Sequence, residues 1–282
     1  MPASAIDLDH VIDKVRTTGY AVLPGVLSPE ETRRIRETLH RLSELDDETY
    51  GVERLVGMRQ RGALRNLAAA DDVFHGLLET SSALDVVDAF LGPQGILNCF
   101  DALILFPGQG RYPWDYHTDL MDVTGVSFPP HRIPGVNILY FFDRVREENG
   151  ATWVVPGSHL TLAGEPDPEV MAPLSVPLEV EPGDAVVFDA RIWHCAGTNG
   201  TDMPRALIKT LFTAPWYRPQ MDFTRAVPED VLTRLSPRAR RYLNMHNVPP
   251  TTVDELRWRL SHGDAVNAEE AKVDKVDKVA EV

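Results

Sequence analysis

Cysteine is almost absent from this chain: 282 residues hold two, Cys99 and Cys195, too few for a disulfide framework. Both lie in apolar, strand-like stretches and read as buried thiols, with Cys195 expected to turn its side chain away from its neighbour His194 if the strand continues. No run approaches the roughly eighteen apolar residues of a membrane-spanning helix, which excludes a membrane partner of that kind. The amino terminus also lacks a basic region followed by an apolar stretch, so no signal peptide is expected and a cytoplasmic location follows. Positive charge is in deficit, with 28 Lys and Arg against 42 Asp and Glu and a net charge of −14. Without a local basic patch, that balance repels a nucleic-acid backbone, and no nucleic-acid partner is expected.

What is present is a hydrophobic share of 43%, enough for a sizeable core. The first ninety or so residues read as helical around one strand. Ser28-Pro29-Glu30-Glu31 has the N-cap, the proline at the first helical position and the returning glutamate of a capping box, and Ile35, Leu39 and Leu42 continue it as a core-facing stripe towards Leu42. Asp71 or Asp72 is expected to cap a helix through Leu78, and Ser82 with Asp85 to start another ending near Gly92-Pro93. The pattern then changes to short apolar or β-rich runs: Leu97 to Phe106, Val136 to Phe142, Thr152 to Val155, Val176 to Val180, Ala185 to Phe188 and Ala206 to Thr213. Helices followed by such strands predict a mainly β fold with flanking helices, a double-stranded β-helix (jelly-roll, cupin-like) barrel. We expect one domain over residues 1–262, helical to about residue 93, barrel over about 94–220 and helical over about 221–262, followed by a charged, disordered tail over 263–282.

Within the β region, His117-Thr118-Asp119 carries the chemistry. Side chains at i and i+2 of an extended segment project to one face, so an imidazole and a carboxylate can chelate one metal. His-x-Asp is common by chance in an Asp-rich chain with nine His. Its meaning comes from the downstream residues: a Gly-Asp that opens the strand Gly183 to Phe188, then Trp193-His194, then Arg205 eleven residues further on. Two imidazoles and one carboxylate on one face of an octahedral ion leave three positions for reactants, the donor set of non-haem Fe(II). A guanidinium such as that of Arg205 fits a carboxylate bidentately.

The segments Tyr116-His117-Thr118-Asp119, Glu148 to His159, Gly183 to Phe188 and Trp193-His194, in this order, resemble the phytanoyl-CoA dioxygenase family of Fe(II)/2-oxoglutarate oxygenases. The resemblance runs from Gly19 to about Pro219. It implies that His117, Asp119 and His194 hold Fe(II), with O2 and 2-oxoglutarate as cosubstrates, and that Arg205 binds the distal carboxylate of 2-oxoglutarate. Thr152 and Asn137 are expected at the same cosubstrate, with Arg65 where relatives carry a further basic residue. Asn98, another polar residue on an apolar strand, is expected at the substrate; Asn98 and Asn137 could each instead satisfy a backbone group. Trp114 and Trp153 are the aromatic candidates for substrate contact, and Tyr50 to Arg65, rich in Gly and Arg, for a lid whose arginines suit carboxylate or phosphate groups. Several relatives have Ser or Thr where this chain has Ala196 and Leu207, and His159 reads as structural. Halogenating relatives lack the carboxylate that Asp119 supplies, so the resemblance implies oxidation of a small organic substrate, plausibly of specialised metabolism, with release of succinate and CO2. Hydroxylation, desaturation, ring closure and ketone formation all fit the sequence. Two other readings of the fold are a non-catalytic jelly-roll that binds a ligand, and a barrel enzyme using another divalent metal. Oligomeric state is not legible.

Overall fold

Ser28 begins the longest helix as its sequence predicts: its hydroxyl accepts from the amide of Glu31, whose carboxylate returns to the amide of Ser28. In the computed structural model, which describes residues 7–110, 112, 115–120, 132–160 and 167–262, this helix α2 spans Pro29–Tyr50. It follows α1 (Leu8–Thr18) and the strand β1 (Tyr20–Leu23), and precedes α3 (Val52–Gly57). The helix outruns its apolar stripe because Asp47 in its last turns anchors Arg61 at 3.0 Å. Gly51, at φ 84°, ends it. The helix expected through Leu78 is broken in two: the Asp71 side chain caps a short turn, Asp72–Phe74, and a separate helix follows over Gly76–Glu79. Ser82 precedes the helix Ala83–Leu91 without a side-chain cap bond, since its own backbone is already helical. The tail over 263–282 lies outside the described residues.

The six runs expected from the sequence form strands with shifted ends, β3 (Ile96–Leu105), β4 (Gly135–Phe141), β5 (Thr152–Val154), β6 (Val176–Pro177), β7 (Ala185–Asp189) and β9 (Arg205–Thr213), and two short strands, β2 (Ala63–Leu64) and β8 (His194–Ala196), join them. The run Val176 to Val180 keeps only two residues as a strand, because Pro177 offers no amide to a ladder; Val180 forms an isolated bridge with Val145. The described strands make two antiparallel sheets, one of six strands in the order β1-β7-β4-β9-β3-β2 and one of three in the order β6-β5-β8. The architecture is thus mixed helix and sheet rather than mainly β, and no ladder closes the two sheets into one barrel among the described residues.

Every residue of β4 is buried, so the strand lacks the polar alternation of a half-exposed sheet. One face carries Ile138, Tyr140, Val187, Ile208 and Phe212 into a large core shared with α1, α2 and the carboxy-terminal helices. The other face carries Leu139, Phe141, Val186, Phe188 and Leu207 against Val154 of the small sheet. Phe212 joins the sheet to the helix Pro237–Tyr242, its ring meeting that of Tyr242 edge-on at 4.7 Å between centroids.

The helices therefore brace the back of a sheet whose front is reserved for the site. Phe212→Ala should reduce unfolding free energy in denaturant titrations by about 3–5 kcal/mol, as expected for a fully buried ring whose cavity cannot collapse.

Candidate metal centre and active site

His117 and His194 sit directly opposite each other across an isolated antiparallel bridge, with the His117 amide on the His194 carbonyl at 2.9 Å and the reverse bond at 3.0 Å. Directly opposed residues project to the same side, which brings the two imidazole centroids to 4.4 Å. Asp119 lies in a bend rather than on the extended strand the spacing predicts, because its amide bonds the carbonyl of Ala190 where the facing chain turns. That turn is fixed by Asp189, whose carboxylate takes both the amide and the guanidinium of Arg191. One ligand atom from each of His117, Asp119 and His194 lies within 4.8 Å of the others.

The donor chemistry suits a metal. Nδ1 of His117 lies 3.0 Å from the carbonyl of Asp115, and Nδ1 of His194 lies 3.0 Å from that of Ile192. A carbonyl only accepts, so each Nδ1 carries the proton and each Nε2 presents a lone pair to the shared space. Nε2 of His194 stands 3.4 Å from Oδ2 of Asp119. Burial holds the His194 imidazole down at a pKa of about 4 against the pull of Asp119, which keeps it neutral and able to ligate. Burial pushes the Asp119 carboxyl up, but the Lys209 ammonium beside it outweighs that and holds the group at about 2, ionised.

Two side chains on neighbouring strands hold that carboxylate. Asn137 on β4 donates to Oδ2 at 2.6 Å, and the ammonium of Lys209 on β9 contacts Oδ1. Asn137, expected at the cosubstrate, therefore reaches the carboxylate itself. Lys209 escaped the sequence reading although it carried a signal. It is a lone charge in the apolar strand Ala206 to Thr213, and it is four residues from Arg205, hence on the same face.

His117, Asp119, His194, Arg205, Thr152, Arg65 and Lys209 all line one cavity of about 590 Å³. Arg205 is 3% exposed, with one terminal nitrogen on the carbonyl of Gly150 and its buried Nε without a hydrogen-bond partner. Burial lowers its pKa to about 10, still far above neutrality. The chain at Gly150 is packed tightly: at φ 86° a Cβ there would meet Leu105 at 2.4 Å, and one on nearby Gly110 would meet the carbonyl of Gly197 at 2.1 Å. Arg65 pairs with Asp101 at 2.5 Å and with Gln60 at 3.0 Å. Ala196 and Leu207 make apolar wall.

The remaining candidates fall elsewhere. Trp153, one residue after Thr152, turns to the opposite face of β5 and stacks on Tyr112 at 4.2 Å, in a cluster with Cys195. Asn98 is buried outside the cavity lining, its amide on the carbonyl of Arg218. Trp114 lies outside the described residues. His159 bonds the carbonyl of Arg16 at 3.1 Å, tying the small sheet to α1. Burial raises the thiol of Cys99 and that of Cys195 to about 12, as expected of inert thiols. From the stretch Tyr50 to Arg65, Val56, Arg59, Arg61, Gly62, Ala63 and Arg65 form one wall of the cavity.

Lys209→Met leaves Asp119 charged and buried with its main counter-charge gone, and should destabilise the metal-free protein by about 3–5 kcal/mol. Asp119→Asn in the same chain should recover most of that loss. Denaturant unfolding in the presence of a chelator measures both; a single variant as stable as the parent would refute the pairing.

The model of the family described as phytanoyl-CoA dioxygenase (PhyH) matches residues 15–207. An uncharacterized protein of Mycobacterium tuberculosis is 31% identical over 253 residues, covering 88% of this chain and 90% of its own length. The dioxygenase af480 of Aspergillus fumigatus is 32% identical over 193 residues, 68% of this chain and 61% of that protein. Among solved structures, AviO1 from Streptomyces viridochromogenes superposes with a TM-score of 0.60 at 22% identity, covering 77% of this chain and 99% of that one, and so shares the fold. Carrying the family's pattern over more than half its length, and with relatives named dioxygenases, the chain belongs to the phytanoyl-CoA dioxygenase family.

Proposed function

We propose that this protein is a non-haem Fe(II)/2-oxoglutarate-dependent dioxygenase that oxidises a small organic molecule. The observation that carries this reading is the convergence of two Nδ1-protonated imidazoles and one ionised carboxylate on a single wall of a cavity that also holds a buried guanidinium with an unpartnered Nε. A buried donor without an acceptor is costly, by about 1–3 kcal/mol, unless a ligand completes it. The distal carboxylate of 2-oxoglutarate is the acceptor we assign to Arg205. A metal centre that only hydrolyses or isomerises does not itself require such an arginine.

His117, Asp119 and His194 would ligate Fe(II), leaving adjacent positions open to the cavity. Bound there, Fe(II) with 2-oxoglutarate and O2 supplies oxidation of a substrate C–H bond as 2-oxoglutarate becomes succinate and CO2. The protein's own work is positional. Lys209 and Asn137 hold the Asp119 carboxylate, the backbone carbonyls of Asp115 and Ile192 set the imidazole tautomers, and Thr152 and Arg65 flank the cosubstrate. Leu139, Phe188 and Leu207 keep that region apolar. Asp119 supplies the carboxylate that halogenating relatives lack, which favours hydroxylase-type chemistry on a specialised metabolite. We further propose a double-stranded β-helix fold within one catalytic unit over residues 1–262, since residues from Val11 to Leu243 share one core cluster.

Anaerobic titration of the Fe(II)-loaded protein with 2-oxoglutarate should give a visible metal-to-ligand charge-transfer band. Arg205→Ala should weaken cosubstrate affinity by about a hundredfold, the loss of a buried charge-assisted pair of a few kcal/mol. Without a band in the parent protein, the ligand-binding and other-metal readings take precedence. Once a substrate is found, Asp119→Ala should abolish substrate-dependent succinate formation, and retained turnover would remove Asp119 from the ligand set.

A further inference from the structure

Five cationic side chains line the cavity of this acidic protein, and four of them are accounted for. Lys209 holds Asp119, Arg65 pairs with Asp101, and Arg61 pairs with Asp47 while its guanidinium lies 4.0 Å over the Phe106 ring. Arg205 bonds Gly150 and, on the reading proposed above, receives the cosubstrate. The fifth, Arg59, has no carboxylate partner among the described residues, although it stands on the same cavity wall.

Its backbone is as informative as its charge. Arg59 follows the end of α3 at φ 56°, the left-handed conformation that glycine or asparagine normally takes just past a helix. An arginine there costs of order 1 kcal/mol, and such strain concentrates where a side chain is used. The turn is held by three backbone bonds, from Met58 to Arg54, from Arg59 to Val56 and from Gln60 to Leu55. The cavity that Arg59 shares with the metal-binding residues also has apolar lining, Val56, Leu103, Leu105 and Leu207 among it. Leu103 is 38% exposed in the middle of a strand paired on both sides, an exposure that an apolar ligand would cover.

We propose that Arg59 binds the single anionic headgroup of an amphiphilic substrate whose apolar body lies along Leu103 and Val56 and whose far end reaches the metal centre. One unpaired guanidinium matches one anion, so the preferred ligand is a free acid rather than a polyphosphate-bearing thioester. This rests on the oxygenase reading for the orientation of the substrate but not for the Arg59 subsite itself.

The test uses four probes that share one chain: decanoate, decanol, decylamine and decanoyl-coenzyme A. Binding is followed by anaerobic isothermal titration, both to the protein alone and to the protein supplied with Fe(II) and 2-oxoglutarate. Decanoate should bind at least about tenfold more tightly than the other three, the usual scale for one charge-assisted hydrogen bond. Arg59→Asn, which suits the left-handed backbone, should erase that preference, and Arg59→Lys should keep most of it. Equal binding of the probes, tighter binding of the thioester, no binding of decanoate, or an unchanged preference in Arg59→Asn would each overturn the proposal. The charge-transfer band in the parent protein reports separately on the oxygenase reading. A band without anion preference removes the substrate class alone; anion preference without a band keeps the Arg59 subsite and removes the oxygenase.

Discussion

A carboxylate that must stay ionised while almost wholly buried is the constraint around which this protein is arranged. Removing such a group from water is expensive unless opposite charge and hydrogen bonds replace the solvent. Here β4 supplies Asn137 and β9 supplies Lys209, so the two central strands of the large sheet compensate Asp119. The opposite face of those strands is packed by helices. The helices α1 and α2 and the carboxy-terminal helix Pro237–Tyr242 thus support the site from behind without lining its cavity.

The same sheet face sorts its side chains along its length. Arg205, Leu207 and Lys209 alternate on β9 as cation, apolar wall and cation, while Leu105, Leu103 and Asp101 face them on β3. The cavity consequently has a polar centre at Asp119 and a cationic end at Arg205, with apolar Leu207 and Leu103 between Lys209 and Arg205 along the sheet. On the proposed reading, that segregation lets a dicarboxylate, a metal and an organic molecule each find its own subsite before they meet.

Much of this was legible in the sequence wherever the signal was local. The capping box at Ser28 predicted the start of α2, and the apolar runs located β3, β4, β7 and β9 to within a residue or two. The grouping of His117, Asp119 and His194 was legible from chelate spacing, and the place of Arg205 in the same cavity from the family resemblance. What escaped depended on tertiary neighbours. Trp153 was an aromatic candidate for substrate contact, yet strand parity sends it to the face opposite that of Thr152. Asn137 was recognised as an anomalous polar residue, but its partner is Asp119, eighteen residues away. Lys209 violated the apolar pattern of β9 and would have been found by asking which buried anion it serves. The split helix near Asp71 and the loss of strand after Pro177 turned on a single cap and a missing amide.

The crossing of main chain at Gly110, Gly150 and Gly197 has a consequence for how such a protein can change. At the Arg205 end the wall is backbone against backbone, with no room for a side chain at Gly110 or Gly150. Drift there is blocked by sterics, so the Arg205 end is frozen in shape. The opposite wall, from Val56 to Arg65, is built of side chains on a short helix and a turn, and can be rewritten residue by residue. New substrates can therefore be acquired on one wall while the oxidising machinery on the other is inherited intact.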